Sequence, residues 1–161
     1  MSVENHYAPV GKSYRCGFNV VAAGAGVAAT ISGGSGKTIE VTQIIFAKPS
    51  ADVNLEVKRY GSAISDGTSS APTITPFDST NEAATGVVTS FTGVPTEPTS
   101  SNDLGHIFAL AGVLTTEVVY LDMMRRGVSG VILRGSAESI GIKVSATATV
   151  RVTIEWIERD A

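Results

Sequence analysis

The stretch Gly33-Gly34-Ser35-Gly36-Lys37-Thr38 holds the first residues whose types and spacing could do chemistry, because GSGKT reads like the end of a phosphate-binding loop. Such a loop needs glycine, four residues, then Gly-Lys-Ser/Thr, so that backbone amides cradle phosphates and the lysine reaches them. Counting back from Gly36-Lys37 puts Ile31 where the first glycine belongs. The loop must also open a helix, whose N-terminus completes the anion site. Thr38-Ile39-Glu40-Val41-Thr42-Gln43-Ile44-Ile45-Phe46 follows instead, rich in β-branched residues and without helical spacing. The better reading is a glycine-rich turn between two strands.

The remaining reactive types assemble no active site. His6 and His106 are the two histidines, and no G-x-S-x-G nucleophile elbow is present. His106 reads as a strand-edge or interface histidine. Cys16 lies in Tyr14-Arg15-Cys16-Gly17-Phe18, where an extended strand puts Arg15 on the opposite face. A nucleophilic thiol needs a base and a lowered pKa, so Cys16 reads as a small buried hydrophobe. Asp66, Asp78, Asn81 and Glu82 could supply oxygens to calcium, but no D-x-D-x-D-G loop organises them. Met123-Met124-Arg125-Arg126 is a basic step at a strand end, without the aromatic interleaving of a nucleic-acid site. Trp156 and Tyr120 could stack on a sugar, although their strand positions favour core or edge packing. The expectation is a protein that is not an enzyme and uses no cofactor and no metal.

Composition sharpens this. The 161 residues suit one domain, with 43% hydrophobic and only 17% charged residues, against about 25% charged in average soluble domains. A weakly charged surface suits a protein that lives against other subunits. The net charge of −3 argues against generic nucleic-acid binding. The single cysteine forms no internal disulfide and fits assembly in a reducing cytoplasm. No apolar run approaches a membrane span, and the N-terminus has no apolar core flanked by positive charge, so neither membrane nor signal peptide is expected. Charge is unevenly spread: between Tyr60 and Met124 lie seven acids and no Lys or Arg.

Strand periodicity runs almost throughout. Val150, Val152, Ile154 and Trp156 alternate with Arg151, Thr153, Glu155 and Ile157, and Ile140, Ile142, Val144 and Ala146 with Gly141, Lys143, Ser145 and Thr147. Further candidates are 16–21, 27–31, 39–45, 53–57, 87–92, 116–123 and 130–134, with 105–110 weaker and Leu104–Leu114 the best helical alternative. Eight to ten strands in one domain imply an all-β sandwich or barrel, and four strands before and four after the acidic middle favour a sandwich of the eight-stranded jelly-roll form.

Two segments stand apart. Residues 62–103 hold four of the six prolines and much Ser and Thr, and read as a long, ordered acidic excursion from the domain spanning 14–161; long loops inside compact domains are usually functional or mobile. Residues 1–13 form an N-terminal arm, either frayed or reaching a neighbouring subunit.

Several phrases, in order, resemble a family of small β-sandwich virion structural proteins of tailed bacteriophages. They are Gly36-Lys37-Thr38-Ile39-Glu40-Val41, Pro76-Phe77-Asp78-Ser79-Thr80-Asn81-Glu82-Ala83-Ala84-Thr85, Val131-Ile132-Leu133-Arg134-Gly135 followed by Ile140-Gly141-Ile142-Lys143-Val144, and Val152-Thr153-Ile154-Glu155-Trp156-Ile157-Glu158. The resemblance implies a jelly-roll-like fold and a place on the virion, such as head decoration (a cement protein) or a fibre base. It implies no catalytic residues. The expected partners are the major capsid protein or other virion proteins, and the expected assembly is a homo-oligomer, most simply a trimer that matches local capsid symmetry. Contact residues are expected in the arm (Tyr7, Val10), in the excursion (Phe77, Asp78, Glu82, Phe91, Glu97, Asp103) and at Arg125 and Arg126. The rival is a tail- or fibre-borne glycan-binding module, whose candidate aromatics are Tyr60, Phe77 and Phe91.

Overall fold

The alternating segments become strands, and their pairing makes two sheets. The computed structural model describes residues 11–47, 49–62, 64, 66–98, 118–124 and 130–161, and the backbone alone over 101–110. These residues form β1 (Lys12–Ala22), β2 (Gly26–Ser32), β3 (Lys37–Ala47), β4 (Val53–Tyr60), β5 (Ser69–Ser70) and β6 (Ile74–Pro76). They continue as β7 (Val87–Phe91), β8 (Ser101–Leu110), β9 (Val118–Asp122), β10 (Val131–Arg134), β11 (Ser139–Val144) and β12 (Ala148–Asp160). The fold is an all-β sandwich. The first sheet runs β10-β3-β12-β1-β6, with β9 also on β3, and the second runs β5-β7-β2-β11-β4-β8. Every ladder is antiparallel.

Side chains from the two inner faces meet in one core. Tyr14, Cys16, Val20, Ile39, Ile44, Phe46, Val152, Ile154 and Trp156 of the first sheet pack with Ile31, Leu55, Val57, Ile140 and Ile142 of the second. Burying each large apolar side chain is worth about 1.5–3 kcal/mol, so this seam dominates the fold's stability. Tyr14 stacks on Trp156 with ring centroids 5.8 Å apart. Where β12 passes β3, the register shifts between Glu155 and Trp156 so that Thr42 is left over. Its hydroxyl then donates to the Glu155 carbonyl at 3.1 Å. This bulge keeps Trp156 facing the core opposite Val41.

The outer face of the second sheet is also covered. Val27, Tyr60 and Phe91 are buried together there, with Ile64 packed against them. Tyr60 lies over Gly141 so closely that a Cβ at 141 would drive into its ring. A glycine inside a strand here marks a close approach.

Three sequence boundaries change. Lys12 and Ser13, assigned to the arm, belong to β1, while residues 1–10 lie outside the described residues. The segment 62–103 is less loop-like than its composition suggests, since β5, β6, β7 and the start of β8 lie within it. Strands β5 and β6 are two and three residues long, too short for any period to register. The helical alternative at 104–114 is also overturned for its described part, because Leu104 to Leu110 lies in β8 and His106 to Leu110 pairs with β4.

Candidate functional site

The feature with the most specific construction is the excursion between β4 and β8. Its strands lengthen both sheets on the same side of the sandwich: β6 adds to β1 in one, and β7 with β5 adds to β2 in the other. Side chains then pin the stretches between them.

The first clamp is Glu158. The inward period of β12 (Val152, Ile154, Trp156) continues onto it, which places a carboxylate at the mouth of the core, only 5% exposed. It accepts hydrogen bonds from the Thr85 N–H at 3.0 Å, the Thr85 hydroxyl at 2.9 Å, the Gly86 N–H at 2.9 Å and the Trp156 Nε1–H at 3.0 Å. A buried carboxylate is tolerable only when satisfied in this way. Gly86 packs closely here: a Cβ would stand 2.5 Å from Ile39 Cδ1, so a larger residue would have to displace the end of that side chain. The Tyr14 hydroxyl adds a bond to the Glu82 carbonyl at 3.0 Å. Residues 82–86 thus close the end of the sandwich.

The second clamp is Glu97. Its carboxylate accepts from Lys143 Nζ at 2.5 Å, from the Tyr60 hydroxyl at 3.1 Å and from Lys58 Nζ at 3.5 Å. Glu56 completes the group, 3.1 Å from Lys58 Nζ. Burial pushes the Glu97 carboxyl up, but hydrogen bonds from Lys143 and Tyr60 and the attraction of both lysines win, holding it below the usual glutamate range. Burial, then Glu97 itself, pushes the Tyr60 phenol well above its ordinary value. Asp66, which accepts the Thr96 N–H at 3.0 Å through both oxygens, fixes the approach to this clamp.

The expected contact residues divide accordingly. Phe77 is 56% exposed beside β6, with the Arg15 guanidinium 5.2 Å above its ring centroid. Asp78 accepts from the Thr80 N–H at 2.9 Å and hydroxyl at 2.7 Å, a turn-closing role. Glu82 is exposed and pairs with Lys12 at 3.2 Å. Phe91 is a correction: it is 3% exposed, because the outer face of the second sheet needs an apolar cover, so it offers no contact surface. Glu97 is held in the clamp by two lysines and a phenol, with its side chain 29% exposed. Asp103 and His106 lie in β8 at the edge of the second sheet, in register with Lys58 and Val57. Tyr7, Val10, His6, Arg125 and Arg126 lie outside the described residues. Of the aromatics proposed for glycan stacking, Tyr60 and Phe91 are buried and only Phe77 is exposed, so the three do not line a common surface.

The GSGKT stretch is the turn from β2 to β3, with Gly36 at φ +67° and Lys37 opening β3 and paired with Asp160. Cys16 is buried, its thiol near the Thr73 carbonyl at 3.3 Å, and burial pushes its pKa up to about 11. The four candidate calcium ligands do not form a group, and no metal-ligating cluster occurs among the described residues. No helix among them is long and apolar enough to cross a membrane. The Glu158 clamp is the feature sequence reading missed, and its signal was available: carried two residues past Trp156, the period lands an acid on the core face.

No protein-family model matches the chain, and no curated protein or solved structure matches it either.

Proposed function

We propose that this chain is a structural protein of a phage virion, a capsid decoration protein that binds the assembled head and stabilises it. One observation carries this reading, the nested pairing of the strands. β1 pairs with β12, β2 with β11, β3 with β10 and β9, and β4 with β8, so the chain is a long hairpin rolled into two sheets. That order supports a jelly roll, an architecture used by viral capsid and lectin domains. Fold does not by itself give function, so the surface must support the reading as well.

It does so in two ways. The core between the sheets is filled by packed side chains, which suits a subunit whose purpose is contact. The excursion, which a sandwich of this order does not require, is tied down by Glu158 and Glu97 into a fixed shape. A pre-ordered surface loses less entropy on docking, and a protein that binds only the assembled shell stabilises that shell by mass action. The partner is then the major capsid protein, and the place of action is the virion, assembled in the host cytoplasm.

The test is co-sedimentation with assembled shells of the phage that encodes the chain, alongside unassembled capsid subunits. Saturable binding to shells but not to free subunits is the expected result. Equal binding to both, or to neither, overturns the proposal.

A further inference from the structure

The two outer faces of the sandwich are unequal. Excursion residues cover that of the second sheet, whereas that of the first carries Tyr120, 65% exposed and the most exposed large hydrophobic among the described residues. Strand registers set its pattern. Across β9, β3, β12 and β1 one row reads Tyr120, Ile45, Thr153, Gly17, without a charge. The next reads Asp122, Gln43, Glu155, Arg15.

We propose that this face joins two copies of the chain about a two-fold axis that lies in the interface and runs along the strands, between β3 and β12. That operation exchanges β9 with β1 and β3 with β12 while keeping each row opposite itself. Tyr120 then enters the hollow that Gly17 leaves on the second copy, and Asp122 meets Arg15 of the second copy. Gln43 presents its amide to Glu155 of the second copy. Each contact occurs twice, as an isologous interface requires.

Three features fit. The uncharged Tyr120 row lies next to the charged row, matching the apolar centre and polar rim of protein interfaces. Arg15 is already held by Glu155 on one side and the Phe77 ring on the other, so little side-chain entropy remains to be lost. Asp122 spends Oδ1 on the Met124 N–H at 2.8 Å, and among the described residues no hydrogen bond or ion pair engages Oδ2, which faces the arginine of the second copy. The area suffices too. β1 and β3 are 11 residues long. With ~3.4 Å per residue and ~4.8 Å between strands, the four strand columns that overlap about this axis cover roughly 700 Å², within the roughly 600–1,000 Å² per partner of a standard-size interface. A two-fold dimer replaces the trimer expected from capsid symmetry.

The experiment is light scattering of the full chain over a concentration range. The wild type is expected at twice the 16.6 kDa chain mass. Y120E and G17L, both on exposed positions, are each expected to weaken the dimer by at least about 30-fold, the loss of one central anchor, with thermal unfolding confirming that each variant folds. D122R, which sets two arginines face to face, is expected to weaken it as well. As a second measurement, chains carrying G17C mixed with chains carrying Y120C should form a disulfide-linked heterodimer that neither forms alone. A monomer, a trimer, or a dimer that these changes leave untouched overturns the proposal.

Discussion

Glu158 accepts the backbone N–H of Gly86 at 2.9 Å across 72 residues of chain, on the same Oε1 that receives the Trp156 indole. This carboxylate ties the C-terminal strand, the core tryptophan and the excursion together. Replacing it by alanine leaves the Thr85 and Gly86 amides and the indole without their acceptor. An unsatisfied buried polar group costs about 1–3 kcal/mol, so E158A should lose about 3 kcal/mol in urea unfolding. Hydrogen exchange at Thr85 and Gly86 should accelerate more than in the central strands. An unchanged exchange rate there would show that the clamp does not hold the excursion.

Gly141 is the position where β11 admits the Tyr60 ring. G141A forces the ring out of its seat between Val27 and Phe91, and overpacking of this kind costs about 1–3 kcal/mol. Combining G141A with Y60A should recover part of that loss relative to additivity, because the clash is gone. A double mutant whose effects simply add would contradict the packing described.

Acid should loosen the second clamp before the core. Glu97 has its folded pKa held below the ordinary value of 4.5, so its contribution is present above that value and is lost as pH falls through the folded pKa. E97Q removes the charge at every pH. At neutral pH the wild type should be more stable than E97Q by about 1–2 kcal/mol, and the gap should close as pH drops below about 4.5. Denaturant melts from neutral to acid pH measure this. A gap independent of pH would remove Glu97 from the account.

Cys16 should be inert in the native protein. Its thiol is buried and its pKa is raised to about 11 by that burial, so the reactive thiolate is scarce near neutral pH. A chromogenic disulfide reagent should react only at the rate of unfolding, and at full speed in denaturant. Fast native labelling would contradict the burial.

How far the sequence foretold this molecule depends on the range of the interactions involved. Alternation carried the long strands, because a half-buried strand must show period 2, and β12 shows it from Val150 to Trp156. It could not show β5 and β6, which are held by the ladders they join and not by any pattern of their own. The sandwich class was legible, while the pairing of β1 with β12 from opposite ends of the sequence rests on contacts no local window contains. Phe91 was misplaced for the same reason: a strand with both faces covered looks like one with a face in solvent. Glu97 read as a contact residue of the excursion, and its place in the clamp was hidden because its lysines lie 39 and 46 residues away. Gly141 and Glu158 were readable, one as a glycine inside a strand and the other as an acid on an apolar period.

The most direct test of the central claim is the melting temperature of assembled shells with and without the purified chain. A rise that saturates with added chain is the expected result, the mark of a ligand that binds the closed shell alone. Shells that melt at the same temperature at every ratio would contradict a decoration role.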